Sequence, residues 1–92
     1  MIITITGAES TIRLVVAEDC ALSRLQYKKL VNCVNPYSDN YEVTGINRYL
    51  WARILFITNV EFFGENWAIA MHKKLHAKWT LYSAKNELSH NG

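Results

Sequence analysis

Ile46-Asn-Arg-Tyr-Leu-Trp-Ala-Arg-Ile-Leu-Phe-Ile-Thr58 decides what kind of fold this chain adopts. Two periodicities compete within it. Ile46, Tyr49, Leu50, Ile54 and Ile57 recur at three- and four-residue steps, as on one face of a helix capped by Thr44. Read alone, Ile54-Leu-Phe-Ile-Thr58 suits a buried strand equally well, because short apolar runs do not distinguish the two. The opening residues tip the balance: Asn47-Arg-Tyr-Leu-Trp-Ala-Arg53 is a poor strand opening, so a helix is expected. In either form the segment is core. Thr58 followed by Glu61 looks like a second helix start, and Gly64 is the expected break, since glycine takes the left-handed conformation at a helix C-terminus at little cost.

Upstream, the readings are clearer. Ile2-Ile-Thr-Ile-Thr6 is wholly β-branched and alternates, and Thr11-Ile-Arg-Leu-Val-Val-Ala17 resumes the pattern with Ile12, Leu14 and Val16 on one face. Four turn-like residues, Gly7-Ala-Glu-Ser10, separate them, which predicts a β-hairpin. Ser23 with Gln26 forms a capping box, with Leu22 and Tyr27 placed for a hydrophobic staple. The helix they start runs through Leu30, Val31 and Val34 and is stopped by Pro36. Asn35-Pro-Tyr-Ser-Asp-Asn-Tyr41 is a loop, and its two tyrosines, Tyr37 and Tyr41, are candidates either for recognition or for rings tucked onto the core with wet hydroxyls.

Downstream lies a second amphipathic helix, Asn66-Trp-Ala-Ile-Ala-Met-His-Lys-Lys-Leu-His-Ala77. Trp67, Ala68, Met71 and Leu75 form its apolar face, which would turn Trp67, Met71 and Leu75 inward and His72, Lys73, His76 and Lys78 outward. Trp79-Thr-Leu-Tyr82 alternates like a strand and would add an edge to the hairpin sheet; the tail from Asn86 reads as frayed. The expected fold is α+β: one compact domain over 1–92, with an N-terminal antiparallel β-hairpin packed against two or three α-helices and a short C-terminal strand.

Composition narrows the function classes. The chain has 92 residues, half of them hydrophobic, enough for a real core. No apolar run reaches the roughly 20 residues of a membrane span, and the N-terminus lacks a basic n-region and a cleavage site, so a cytoplasmic protein without membrane contact is expected. Cys20 and Cys33 fit neither a CxxC motif nor a disulfide framework. Net charge is +2. It is unevenly spread: Arg48, Arg53, Lys73, Lys74, Lys78 and Lys85 outnumber the acids of the C-terminal half, whereas acids slightly outnumber bases before residue 47.

Catalytic signatures are weak. His72 and His76 have the spacing of two zinc ligands on a helix, but a zinc protease needs glutamate where Lys73 stands, and no third ligand lies nearby. No local pattern supports a Cys–His nucleophile, and the glycines are too scattered for a phosphate loop. No enzyme activity, metal or cofactor is expected. Two binding readings remain. Trp51, Trp67 and Trp79 with the C-terminal cations supply rings and charges for nucleic acid, although Lys73 and Lys74 diverge by about 100° around a helix. Trp, Tyr, Arg and Met are also the residue types enriched at protein interfaces, and three Trp, five Tyr and three Phe exceed what a core of this size hides. The expectation is therefore a small protein-binding module, in character like a phage or mobile-element accessory protein (an anti-CRISPR-like inhibitor occupying the surface of a host defence complex). The alternative is a small nucleic-acid-binding regulator; a homodimer seam is a further use for surplus aromatics. The expected contact residues are Lys73, Lys74, His76, Lys78, Arg48, Arg53, Tyr37 and Tyr41.

Overall fold

A computed structural model describes residues 1–17, 20–38 and 40–77 of the chain. Five elements alternate from the N-terminus: β1 (Ile2–Thr6), β2 (Thr11–Val15), α1 (Arg24–Cys33), β3 (Glu42–Thr44) and α2 (Arg48–Phe63). A further helix, α3, covers 65–77. The fold is α+β, with the N-terminal hairpin packed against helices. The expected strand at 79–82, the frayed tail and Lys78 lie outside the described residues.

The hairpin forms as its alternation requires. β1 and β2 pair antiparallel with Ile3 opposite Leu14 and Ile5 opposite Ile12. Because side chains alternate across a strand, one register places Ile3, Ile5, Leu14 and Val16 together in the core. The N-terminal ammonium donates to the Val16 carbonyl at 2.7 Å, which lengthens the ladder by one residue.

The third strand is not a C-terminal one in the described chain but Glu42-Val-Thr44, on the other side of β1, giving the order β2-β1-β3. Three residues with a single apolar position, Val43 opposite Ile5, are too short to declare a period. Gly45 makes the strand's exit possible. Its φ of +89° lies where L side chains are strained, and a Cβ there would run into the Ile2 carbonyl oxygen. Gly45→Ala is expected to cost on the order of 1–3 kcal/mol, seen as a lowered urea midpoint.

α1 starts where its capping box predicts. Ser23 Oγ accepts from the Gln26 amide at 3.1 Å, and Gln26 Oε1 accepts from the Ser23 amide at 3.0 Å. Gln26 then donates its side-chain amide to the Val15 carbonyl at 2.6 Å, tying the helix start to the end of β2. α1 ends at Cys33, with Val34 as an extended C-cap, because Pro36 two residues on disfavours helical geometry at Asn35 before it.

The 46–58 segment resolves to helix from Arg48 onward, with two corrections. The cap is Asn47, whose Oδ1 accepts from the Leu50 amide at 2.8 Å; Thr44 is still strand. Thr58 does not start a second helix either. It is fully buried in mid-helix, donating its hydroxyl to the Ile54 carbonyl at 2.7 Å and accepting from the Leu22 amide at 2.9 Å. That bond satisfies a backbone donor just before α1, so Thr58 fastens α1 to α2. The apolar face also shifts: Tyr49 is 73 % exposed, and the buried stripe is Trp51, Ile54, Leu55, Thr58 and Asn59, with Ala52. Two of its positions are polar, which is why hydrophobicity alone misplaced it.

Gly64 ends α2 with φ +96° and its amide on the Val60 carbonyl. α3 then packs through Ala68 and Leu75, each 1 % exposed. Trp67 does not turn inward with them: it is 48 % exposed. His72, expected outside, is instead half-buried, with its ring edge-on to Phe56 at 5.5 Å and its Nδ1 enclosed without a hydrogen-bond partner. The helix is thus rotated by about one position from the face that its heaviest side chain suggested. Among the described residues, no helix is long and apolar enough to cross a membrane.

Candidate functional site

Where α2 gives way to α3, aromatic side chains that the core does not absorb gather on the surface. Phe62 and Phe63 end α2, Trp67 belongs to the first turn of α3, and Gly64 between them turns the chain. The Phe63 and Trp67 rings lie 5.8 Å apart. Tyr27, from α1, meets Phe62 at 5.9 Å edge-on and Phe63 at 5.8 Å. Arg24 holds its guanidinium 5.2 Å from the centre of the Phe62 ring. Phe63 is 52 % exposed and Trp67 48 %, so both rings are half in water.

A buried polar chain fixes the Tyr27 and Trp67 rings, between which Phe63 packs. Asn59, 1 % exposed on α2, donates to the Leu55 carbonyl at 2.7 Å and to the Tyr37 hydroxyl, while its Oδ1 accepts from Trp67 Nε1 at 3.2 Å. The Tyr37 hydroxyl also meets that of Tyr27 at 3.3 Å. One asparagine therefore holds the tyrosine loop, α1 and α3 in register beneath the aromatic surface. Buried amides without partners are costly, so this arrangement is specific to one packing. The two half-exposed rings are pre-set, and they would give up little rotational freedom on contact with a partner.

Burial pushes the Tyr37 hydroxyl well above its usual range, helped by the Tyr27 bond and opposed by Asn59. The sign follows directly. Below about pH 10 the phenol is neutral in both folded and unfolded chains; above it the unfolded chain ionises first. Stability contributed by the neutral, bonded Tyr37 is thus lost as pH climbs past about 10. Urea midpoints taken between pH 8 and 11 are expected to fall at the alkaline end, and Tyr37→Phe is expected to flatten that fall while lowering the midpoint at pH 8.

The residues singled out from sequence take up different positions. Tyr37 and Tyr41 are half-buried, and their hydroxyls are not wet: Tyr41 donates to the Pro36 carbonyl at 2.6 Å and accepts from Trp51 Nε1 at 3.0 Å. Burial raises the Tyr41 hydroxyl as well, against the lowering effect of Trp51. Arg48 and Arg53 are exposed on α2, five residues apart and so about 140° apart around its axis. Lys73, Lys74 and His76 are exposed on α3, and the His76 ring lies 5.9 Å from that of His72. Trp51 is 1 % exposed and has no face to offer a base. Among the described residues no group of three His, Cys, Asp or Glu side chains is placed to hold a metal ion.

The aromatic cluster escaped the sequence reading because its members come from three elements. Tyr27 is remote in sequence, and the glycine between Phe63 and Trp67 breaks the helical period that would have linked them. Phe62-Phe-Gly-Glu-Asn-Trp67 is nonetheless a visible signal: three large rings around a helix break. No family model matches the chain, and neither a curated protein nor a solved structure is similar to it.

Proposed function

We propose that this chain is a small, non-enzymatic binding protein that docks on a larger protein through the Tyr27–Phe62–Phe63–Trp67 surface. The observation that carries the reading is the exposure of Phe63 and Trp67 within one ring-contact cluster rimmed by Arg24 and Glu61. Apolar rings at the centre with charges around them are the composition of an interface patch, and Trp, Tyr and Arg dominate binding energies where they have been measured. The exposed cations of α3, Lys73 and Lys74, are then a second contact region, suited to a partner that itself handles nucleic acid. Inhibition of a host defence complex by a phage or mobile-element accessory protein is the biological setting proposed for such a module.

The experiment is capture of partners from lysate of the source cell by the tagged protein and by its Phe63→Ala variant, with and without nuclease. A partner held by the wild type, lost by the variant and indifferent to nuclease supports the reading. Capture that vanishes with nuclease, or generic DNA affinity falling steeply with salt, would replace it with the nucleic-acid alternative. That alternative loses one of its stacking rings to the buried position of Trp51.

A further inference from the structure

The sheet has an open side. β1 is covered by β2 and β3, and α1 lies against β2 and meets the hairpin at both ends, Gln26 on the Val15 carbonyl at 2.6 Å and the Cys33 thiol 3.1 Å from Ser10 Oγ. Within the hairpin, Val16 and Met1 exchange bonds and Gly7 donates to Ser10, so the even-numbered residues of β2 face β1 in the ladder. The N–H and C=O groups of Thr11, Arg13 and Val15 therefore point away from it. Gln26 takes the Val15 carbonyl; among the described residues no other hydrogen bond engages these outward groups. Backbone groups of this kind are strong, directional partners, and an exposed edge is a template for another strand.

We infer that the outer edge of β2 receives an extended segment of the partner, carrying an acidic residue beside Arg13. The inference rests on the protein-binding reading and adds a second contact to it. Arg13 sets the occupant's chemistry. It projects from the solvent face of the sheet, with Thr4 opposite it and Thr11 and Val15 flanking it on its own strand, none of them acidic. A second copy of the chain fits badly: the antiparallel register that engages all three outward residues sets one Arg13 against the other, and like charges directly opposed are destabilising. Slipping by two residues in either direction engages only two of the three, Arg13 with Thr11 or Arg13 with Val15.

Continuity with the aromatic surface gives the segment a path. An open groove of about 650 Å³ begins at Val15 and is lined by Leu22, Arg24, Glu61 and Phe62 on its way. A strand laid along β2 leaves Val15 into this groove and arrives at the Phe62 ring, one edge of the aromatic cluster. A main-chain ladder would supply affinity there, and Arg13 the choice of sequence.

Two short peptides test it, each alternating valine and threonine around one central residue, glutamate in one and lysine in the other. They are titrated into the ¹⁵N-labelled full chain. The glutamate peptide is expected to shift and protect the amides of Thr11, Arg13 and Val15, with the lysine peptide at least tenfold weaker, and Arg13→Glu is expected to reverse that order. Absence of protection at these amides with either peptide, equal binding of both, or concentration-dependent dimerisation that protects the same amides would overturn the inference. Partner capture separates the two contacts. Loss with Phe63→Ala but not with Arg13→Glu leaves the aromatic surface and removes the edge site; the opposite pattern keeps the edge site and removes the aromatic reading.

Discussion

Trp51→Ala is expected to lose about 3–5 kcal/mol of folding stability, the largest effect of any single substitution in this chain. A domain of this size has on the order of 5–10 kcal/mol in all, so a substantial unfolded fraction should appear at 37 °C. Three contributions combine. The indole is 1 % exposed and joins the strand residues Ile3, Ile5 and Leu14 to the helical ones in a single core, so its removal leaves a large cavity. Its Nε1 donates to the Tyr41 hydroxyl, which is left without that donor in a half-buried site. Tyr41 in turn holds the Pro36 carbonyl, so the loop between α1 and β3 loosens with it. Urea denaturation measures the sum. Trp51→Phe fills most of the volume but cannot donate, and should fall between wild type and alanine; if it equals wild type, the hydrogen bond contributes nothing and cavity formation alone explains the loss.

The second large effect is on binding. Truncating Phe63 to alanine is expected to weaken partner affinity by about 30-fold or more, the roughly 2 kcal/mol that marks an interface hot spot. Stability should change little, because the ring is already 52 % exposed and makes no hydrogen bond. Trp67→Ala should weaken binding at least as much but is less clean, since it also removes the donor to Asn59 Oδ1 and with it part of the buried polar chain. The control is Lys73→Glu with Lys74→Glu on α3. If those charge reversals release the partner while Phe63→Ala does not, the contact surface is the basic face of α3 and the aromatic cluster is only a well-ordered boundary of the core. Affinity by calorimetry, alongside urea midpoints for each variant, separates lost contact from lost fold.

Much of the architecture was legible because local signals and tertiary packing agree. The hairpin alternation, the Ser23–Gln26 capping box and the Gly64 break each have a short-range physical cause, and each stands where its residues predict. The misreadings have a common origin. Thr44 and Asn47 are both competent caps, and only the pairing of Thr44 with Thr4 removes the first from contention. Thr58 and Asn59 look like surface or capping residues until their partners from other elements, Leu22 and Tyr37, are in place. Trp67 is the most apolar-looking residue of its helix, yet small Ala68 takes the close contact because helices approach nearest at small side chains.

The same division applies to the candidate site. Tyr37 and Tyr41 suggested recognition as loop tyrosines, but the structure employs both hydroxyls internally, whereas Phe62, Phe63 and Tyr27 carried no mark of exposure in the sequence. By itself, the sequence determined the α+β class, the hairpin and the two helix boundaries marked by Ser23 and Gly64, since those depend on contacts within a few residues. Which face of each helix is buried, that β3 exists, and that rings from α1, α2 and α3 meet at one surface were decided only by tertiary structure. Their energies come from partners dozens of residues away, and no local spacing records them.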